Sequence, residues 1–123
     1  MSDVRVLVVD DVATFLAAVV SVVGETPGFE IAGVASSGEQ AIIVAADIRP
    51  DLVLMDVSLP GIDGLEATRR LLSRTLAETV ILLSTYDEDA GEQFAAECGA
   101  AAYLHKAAFG PDSLDQAWSD ARR

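Results

Sequence analysis

The sequence predicts an α/β fold, a three-layer sandwich in which one parallel sheet carries helices on both faces. Three observations predict it. Short apolar runs alternate with helical patterns five times along the 123 residues. The runs stop on polar residues, at Asp10, Asp56, Ser84 and Lys106, and the joints are short and rich in Gly, Pro, Ser and Asp. Repeated strand–helix units with short loops close into a parallel sheet through right-handed crossovers.

Val4 to Val9 is apolar except for Arg5 and ends at the acidic pair Asp10 and Asp11. A helix follows from about Val12 to Val23, stopped by Gly24 and the turn Thr26, Pro27, Gly28. Phe29 to Ala35 is the second strand, and Ser36, Ser37 and Gly38 lead into a second helix that Pro50 closes. Leu52 to Met55 is uninterrupted apolar sequence and reads as a central strand buried on both faces. Asp63 caps a third helix reaching about Arg74, and Thr79 to Leu83 is the fourth strand, ending at Ser84. Asp87 to Cys98 is the fourth helix, Ala101 to His105 the fifth strand ending at Lys106, and Pro111 to Ala121 the last helix, with Pro111 in its first turn. Five such units leave no room for a second domain, so residues 1–123 are expected to form one.

Composition narrows the classes of function. A hydrophobic content of 51% excludes disorder, and a net charge of −12 argues against direct nucleic-acid contact by this domain. If DNA is involved, another domain must touch it. No apolar run approaches a membrane span, and MSDVRVLVVDD enters a strand with no basic leader, so a soluble cytoplasmic protein is expected. The single Cys98 reads as a small apolar helix residue whose acidic neighbours raise its pKa.

The stretch LVLMDVSLPGIDG organises the rest. A buried strand delivers Asp56 to a loop at its carboxyl end, where open α/β sheets bind ligands. Taken alone, Asp56 reads more readily as a residue that caps or terminates a turn. In the flavodoxin-like strand order 2-1-3-4-5, however, the chain direction switches between the first and third strands, which brings Asp10, Asp11 and Asp56 together. Three close carboxylates raise one another's pKa unless a cation compensates, and a site of oxygen ligands with high charge suits Mg²⁺. Lys106 reaches the same site as a fixed positive charge, and Ser84 adds a hydroxyl.

These residues resemble the receiver domain of two-component response regulators. The matching positions are the acidic pair in VLVVDD, Asp56 in LMDVSLPGIDG, Ser84 in VILLST, Tyr103 in AAYLHK, and Lys106. They stand in family order and spacing over essentially the whole chain. The resemblance implies that Asp56 is the phosphoacceptor, Asp11 a direct Mg²⁺ ligand, Asp10 a ligand largely through water, and the backbone carbonyl of Ser58 a further ligand. It implies a sensor histidine kinase as partner. Self-catalysed phosphoryl acceptance and autodephosphorylation are expected, with no other enzymatic activity. Ser84 and Lys106 would bind the acyl phosphate, and Tyr103 would turn inward behind Ser84 as a switch. Without the family, Tyr103 reads equally as an aromatic at the edge of the core.

Two positions depart from the family pattern. Lys106 precedes Ala107 where a cis-proline is frequent, and a cis bond to alanine costs about 3 kcal/mol. A trans bond and a rerouted loop are therefore expected, as in receivers that precede a helix-turn-helix output domain. Ser58 and Thr85, which flank the phosphoryl group in the family, are small and lack a carboxylate or amide, so no strongly assisted hydrolysis is expected.

The helix surfaces suggest partners. Val12, Phe15, Val19 and Val22 have core spacing, and Ala13, Leu16, Ala17 and Val20 form a second apolar stripe. Either the last helix, with Leu114, Ala117, Trp118 and Ala121, covers that stripe, or a homodimer forms through the first and last helices. The second reading is favoured and places Ala13, Leu16, Ala17, Val20 and Trp118 in the dimer face. Asp87, Glu88, Asp89, Glu92 and Glu97 make the fourth helix acidic, a solvated face or a surface for a basic partner. Gly91 in its interior predicts mobility. His105 is read as structural.

The leading reading is thus a phosphorylation-dependent switch, with a transcriptional output or as a stand-alone receiver or phosphorelay intermediate. An Asp-nucleophile phosphatase is the alternative of another class, but such enzymes place a second acid where Ser58 stands. A flavodoxin-like cofactor binder is a third, and Asp10 and Asp11 would repel its phosphate.

Overall fold

The computed structural model describes residues 3–123. In chain order it runs β1 (Val4–Val9), α1 (Ala13–Glu25), β2 (Phe29–Ala35), α2 (Gly38–Ile48), β3 (Leu52–Met55), α3 (Gly64–Ser73), β4 (Thr79–Ser84), α4 (Glu88–Cys98), β5 (Ala102–His105) and α5 (Pro111–Ala121), with a 3₁₀ turn at Lys106–Ala108. All strand pairs are parallel, and the order is β2-β1-β3-β4-β5, as the sequence predicted. Local chemistry sets the helix starts. The Ser37 hydroxyl accepts the Gln40 N–H at 3.1 Å, and the Asp63 and Asp87 carboxylates accept the Glu66 and Ala90 N–H groups at 2.8 Å.

Because successive strand residues point to opposite faces, the sheet builds two cores. Leu7, Val9, Val53, Met55 and Leu82 pack against α2, α3 and α4, whereas Val6, Val8, Leu54, Ile81 and Leu83 pack against α1 and α5. Full burial of each such side chain contributes about 1.5–3 kcal/mol relative to exposure. The central strand β3 is buried along its whole length. Its carboxyl end is thereby held rigidly, which matters for the residue that follows it.

Several features differ from the expectations. Gly24 does not stop α1; the helix runs to Glu25, and the buried Thr26 follows with its hydroxyl donating to the Val22 carbonyl at 2.6 Å. The stripe assigned to a dimer is largely used inside the molecule. Leu16, Val20 and Trp118 pack against the core between α1 and α5, and Trp118 meets Phe29 edge-on with centroids 6.4 Å apart. The core stripe of α1 is Leu16, Val19, Val20 and Val23, an i, i+3, i+4, i+7 set, while Val12 and Phe15 are exposed. Only Ala13 and Ala17 of the expected dimer face are exposed. Finally, Gly91 is buried, and a Cβ there would come 2.1 Å from the Tyr103 ring. Its role is close packing, which removes the ground for expecting a loose α4. Cys98 is buried, and burial rather than acidic neighbours pushes its thiol pKa up.

Candidate functional site

The carboxyl ends of β1, β3, β4 and β5 place four polar side chains at one edge of the sheet. β1 and β3 are neighbours, and the Asp56 N–H bonds to the Val9 carbonyl at 3.0 Å, so Asp10 and Asp56 emerge side by side. Carboxylate oxygens of Asp10, Asp11 and Asp56 lie within 4.8 Å of one another. Asp10 is 3% and Asp56 5% exposed, while Asp11 faces solvent. The loop after β3 is pressed against this edge because Gly64 opens α3 there. A Cβ on Gly64 would stand 1.9 Å from the Asp56 carbonyl oxygen, so only glycine permits this approach.

Each Asp56 oxygen has partners. The Ser84 hydroxyl donates to Oδ1 at 2.8 Å, and the Ser58 N–H approaches the same atom at 3.4 Å. Lys106, beyond β5, reaches across the end of β4 and places Nζ 3.2 Å from Asp56 Oδ2 and 2.7 Å from Asp10 Oδ2. Asp10 Oδ1 accepts the Val12 N–H at 2.9 Å at the start of α1. Burial raises the Asp56 carboxyl pKa, an effect opposed by the Ser84 hydrogen bond and the Lys106 charge and reinforced by Asp10. Three carboxylates and one ammonium leave an excess of two negative charges, and all the ligand atoms are oxygen. That donor set fits a hard divalent cation.

The expected site residues thus assemble, and Tyr103 lies close by. Its ring is buried against Gly91, and its hydroxyl donates to the Tyr86 carbonyl. Burial pushes the phenol pKa up, with Asp87 and Asp56 adding to the effect, so Tyr103 remains a donor. The residue facing Ser58 is Tyr86 rather than Thr85, with the two hydroxyls 3.0 Å apart and the Tyr86 ring edge-on to Phe94 at 5.1 Å. Sequence reasoning missed Tyr86, although it lies two residues beyond Ser84. It also placed Phe15 in the core, whereas the ring lies over Lys106 with Nζ 4.2 Å from its centroid. Nothing local signals that pairing.

Among the described residues no peptide bond is cis, so Lys106–Ala107 is trans as expected. The 3₁₀ turn carries the chain to α5, and His105 Nδ1 accepts the Ala107 N–H at 2.9 Å, a structural role. No helix among the described residues is long and apolar enough to cross a membrane.

Comparison with known proteins gives a consistent result. A family model described as response regulator receiver domain matches residues 6–118. The chain is 39% identical over 105 residues to response regulator GacA of Pseudomonas viridiflava, covering 85% of this chain and 49% of that protein. It is 37% identical over 112 residues to protein-glutamate methylesterase/protein-glutamine glutaminase 4 of Myxococcus xanthus, covering 90% and 31% respectively. The chain therefore spans half or less of the length of these curated relatives. Among solved structures, the signal receiver domain of NarL from Mycobacterium tuberculosis superposes with a TM-score of 0.88 at 28% identity, covering 99% of this chain and 98% of that one.

Proposed function

The chain belongs to the response regulator receiver domain family, and from that premise we propose that it is a phosphorylation-dependent switch in which Asp56 accepts a phosphoryl group from a sensor histidine kinase. Supporting this is one observation above all: a buried carboxylate at the end of β3 has Lys106 and Ser84 on its oxygens and two further carboxylates beside it. Asp10, Asp11 and Asp56, with the backbone carbonyl of Ser58, are the residues that would hold Mg²⁺. When bound, the ion supplies neutralisation of charge on the phosphoryl oxygens.

The chain's own groups account for the remaining chemistry. An Asp56 oxygen forms the new O–P bond as the P–N bond to the donor histidine breaks, and the departing imidazole nitrogen takes a proton from solvent. Lys106, paired with the Asp10 and Asp56 carboxylates, is the fixed positive charge that would meet a phosphoryl oxygen. Ser84, already a donor to Asp56 Oδ1, is placed to donate to a phosphoryl oxygen instead. Moving Ser84 draws on the segment that carries Tyr86, to which the Tyr103 hydroxyl is bonded. The response therefore passes to α4 and β5, a two-state element biased by one added charge.

A transcriptional output outside these residues is the favoured continuation. The methylesterase match shows that relatives of this chain carry other names too. A phosphatase using Asp56 as nucleophile has no support in the site: Ser58, where a second acid would stand, meets the Tyr86 hydroxyl.

Intact mass after incubation with phosphoramidate and Mg²⁺ tests the reading. One hydroxylamine-labile phosphoryl adduct is expected on the wild type and none on Asp56→Asn or without Mg²⁺. An adduct that survives Asp56→Asn would refute the assignment.

A further inference from the structure

We propose that Phe15 is a positioning residue for Lys106, holding the ammonium against Asp56 and closing it from water at the mouth of the site. The inference rests on the phosphoacceptor reading above. An ammonium has three N–H donors to satisfy. Two sides of Lys106 Nζ are taken by Asp10 Oδ2 at 2.7 Å and Asp56 Oδ2 at 3.2 Å, and the Phe15 ring lies on another with its centroid at 4.2 Å. A phenyl face carries the negative lobe of the ring quadrupole and attracts a cation at that range.

Exposure points the same way. Phe15 is 41% exposed as a residue, yet the Lys106 side chain beside its ring is only 7% exposed. Phe15 does not join the α1 core stripe, so the contact with Lys106 is what its ring supplies at this position. The contact also answers a problem of geometry. Lys106 sits nearer to Asp10 than to Asp56, and a flexible four-carbon chain left to itself would settle on Asp10. A rigid ring 4.2 Å from Nζ is a third contact that limits the side chain's swing and holds the charge between the two carboxylates, within reach of a phosphoryl group on Asp56. It also shields the ammonium from water, which strengthens its pull on phosphoryl oxygens.

Fluorination separates this role from mere packing, because each fluorine weakens the ring face while leaving shape and burial nearly unchanged. Phe15 is replaced by mono-, di- and trifluorophenylalanine, with Phe15→Leu and Phe15→Trp alongside. Two quantities are read: the rate of adduct formation from phosphoramidate at saturating Mg²⁺, and the NMR shift of the Lys106 ε-methylene protons in the metal-free, unphosphorylated protein. We expect the rate to fall stepwise with fluorination, by about three- to tenfold across the series and in Phe15→Leu, and to be retained in Phe15→Trp. The ε-methylene signal should lie upfield in the wild type from the ring current and return to the ordinary lysine position in Phe15→Leu. A rate indifferent to fluorination, or an ε-methylene signal that Phe15→Leu does not move, overturns the positioning role while leaving Asp56 as phosphoacceptor. Absence of any adduct on the wild type overturns both.

Discussion

Replacing Gly91 with alanine should destabilise this protein, against the ordinary rule for a helix interior. In an open position the change would stabilise α4 by up to about 1 kcal/mol. Here the new Cβ would stand 2.1 Å from Cδ2 and 2.3 Å from Cγ and Cε2 of Tyr103. Three ring atoms at such distances leave no small adjustment, because Cγ moves only if the whole ring or the helix moves. Overpacking of this kind costs about 1–3 kcal/mol, and a displaced ring also loses the hydrogen bond to the Tyr86 carbonyl, about 1 kcal/mol. The net expectation is a loss of about 1–3 kcal/mol, or a Tm lower by about 3–15 °C. Urea unfolding of wild type, Gly91→Ala, Tyr103→Ala and the double variant measures the coupling. With the ring gone, the alanine should become neutral or stabilising, giving an interaction energy of about 2 kcal/mol. A Gly91→Ala protein more stable than wild type in the Tyr103 background would refute the packing argument.

Other consequences are as direct. Gly64→Ala sets a Cβ 1.9 Å from the Asp56 backbone carbonyl; stability should drop by about 3 kcal/mol, and the surviving folded protein should take up phosphoryl groups more slowly, as read by intact mass. Burial raises the Asp56 pKa above its ordinary 3.8, so ionisation favours the unfolded chain as pH climbs through that value towards the folded one. In EDTA, the stability of Asp56→Asn relative to wild type should therefore increase as pH rises above that ordinary value and level off once Asp56 is ionised in the folded protein; urea midpoints of the two proteins that track each other throughout this rise would count against it. Leu16→Glu forces a charge into the α1–α5 contact and should cost about 2 kcal/mol whatever the protein concentration, whereas Ala17→Glu, at an exposed position, should leave Tm within about 2 °C of wild type. Equal effects of the two would restore Leu16 to a surface face.

The sequence by itself determined the order and type of the elements and the residues at the strand ends. Those signals are local: apolar runs, caps such as Asp63 and Asp87, and polar stops at Asp10, Asp56, Ser84 and Lys106. A parallel sheet with one topological switch then brings the strand ends together with little freedom left. Tertiary structure alone decided the rest. Helix α1 carries two apolar stripes about 130° apart, so its phase is ambiguous until the sheet and α5 choose Leu16, Val19, Val20 and Val23. Whether Gly91 loosens a helix or receives a ring depends on Tyr103, which lies on the next strand. The pairings of Tyr86 with Ser58 and of Phe15 with Lys106 join segments far apart in the chain. Periodicity cannot report such contacts, because a side chain's neighbours across a loop are set by how whole elements pack and not by the residues beside it.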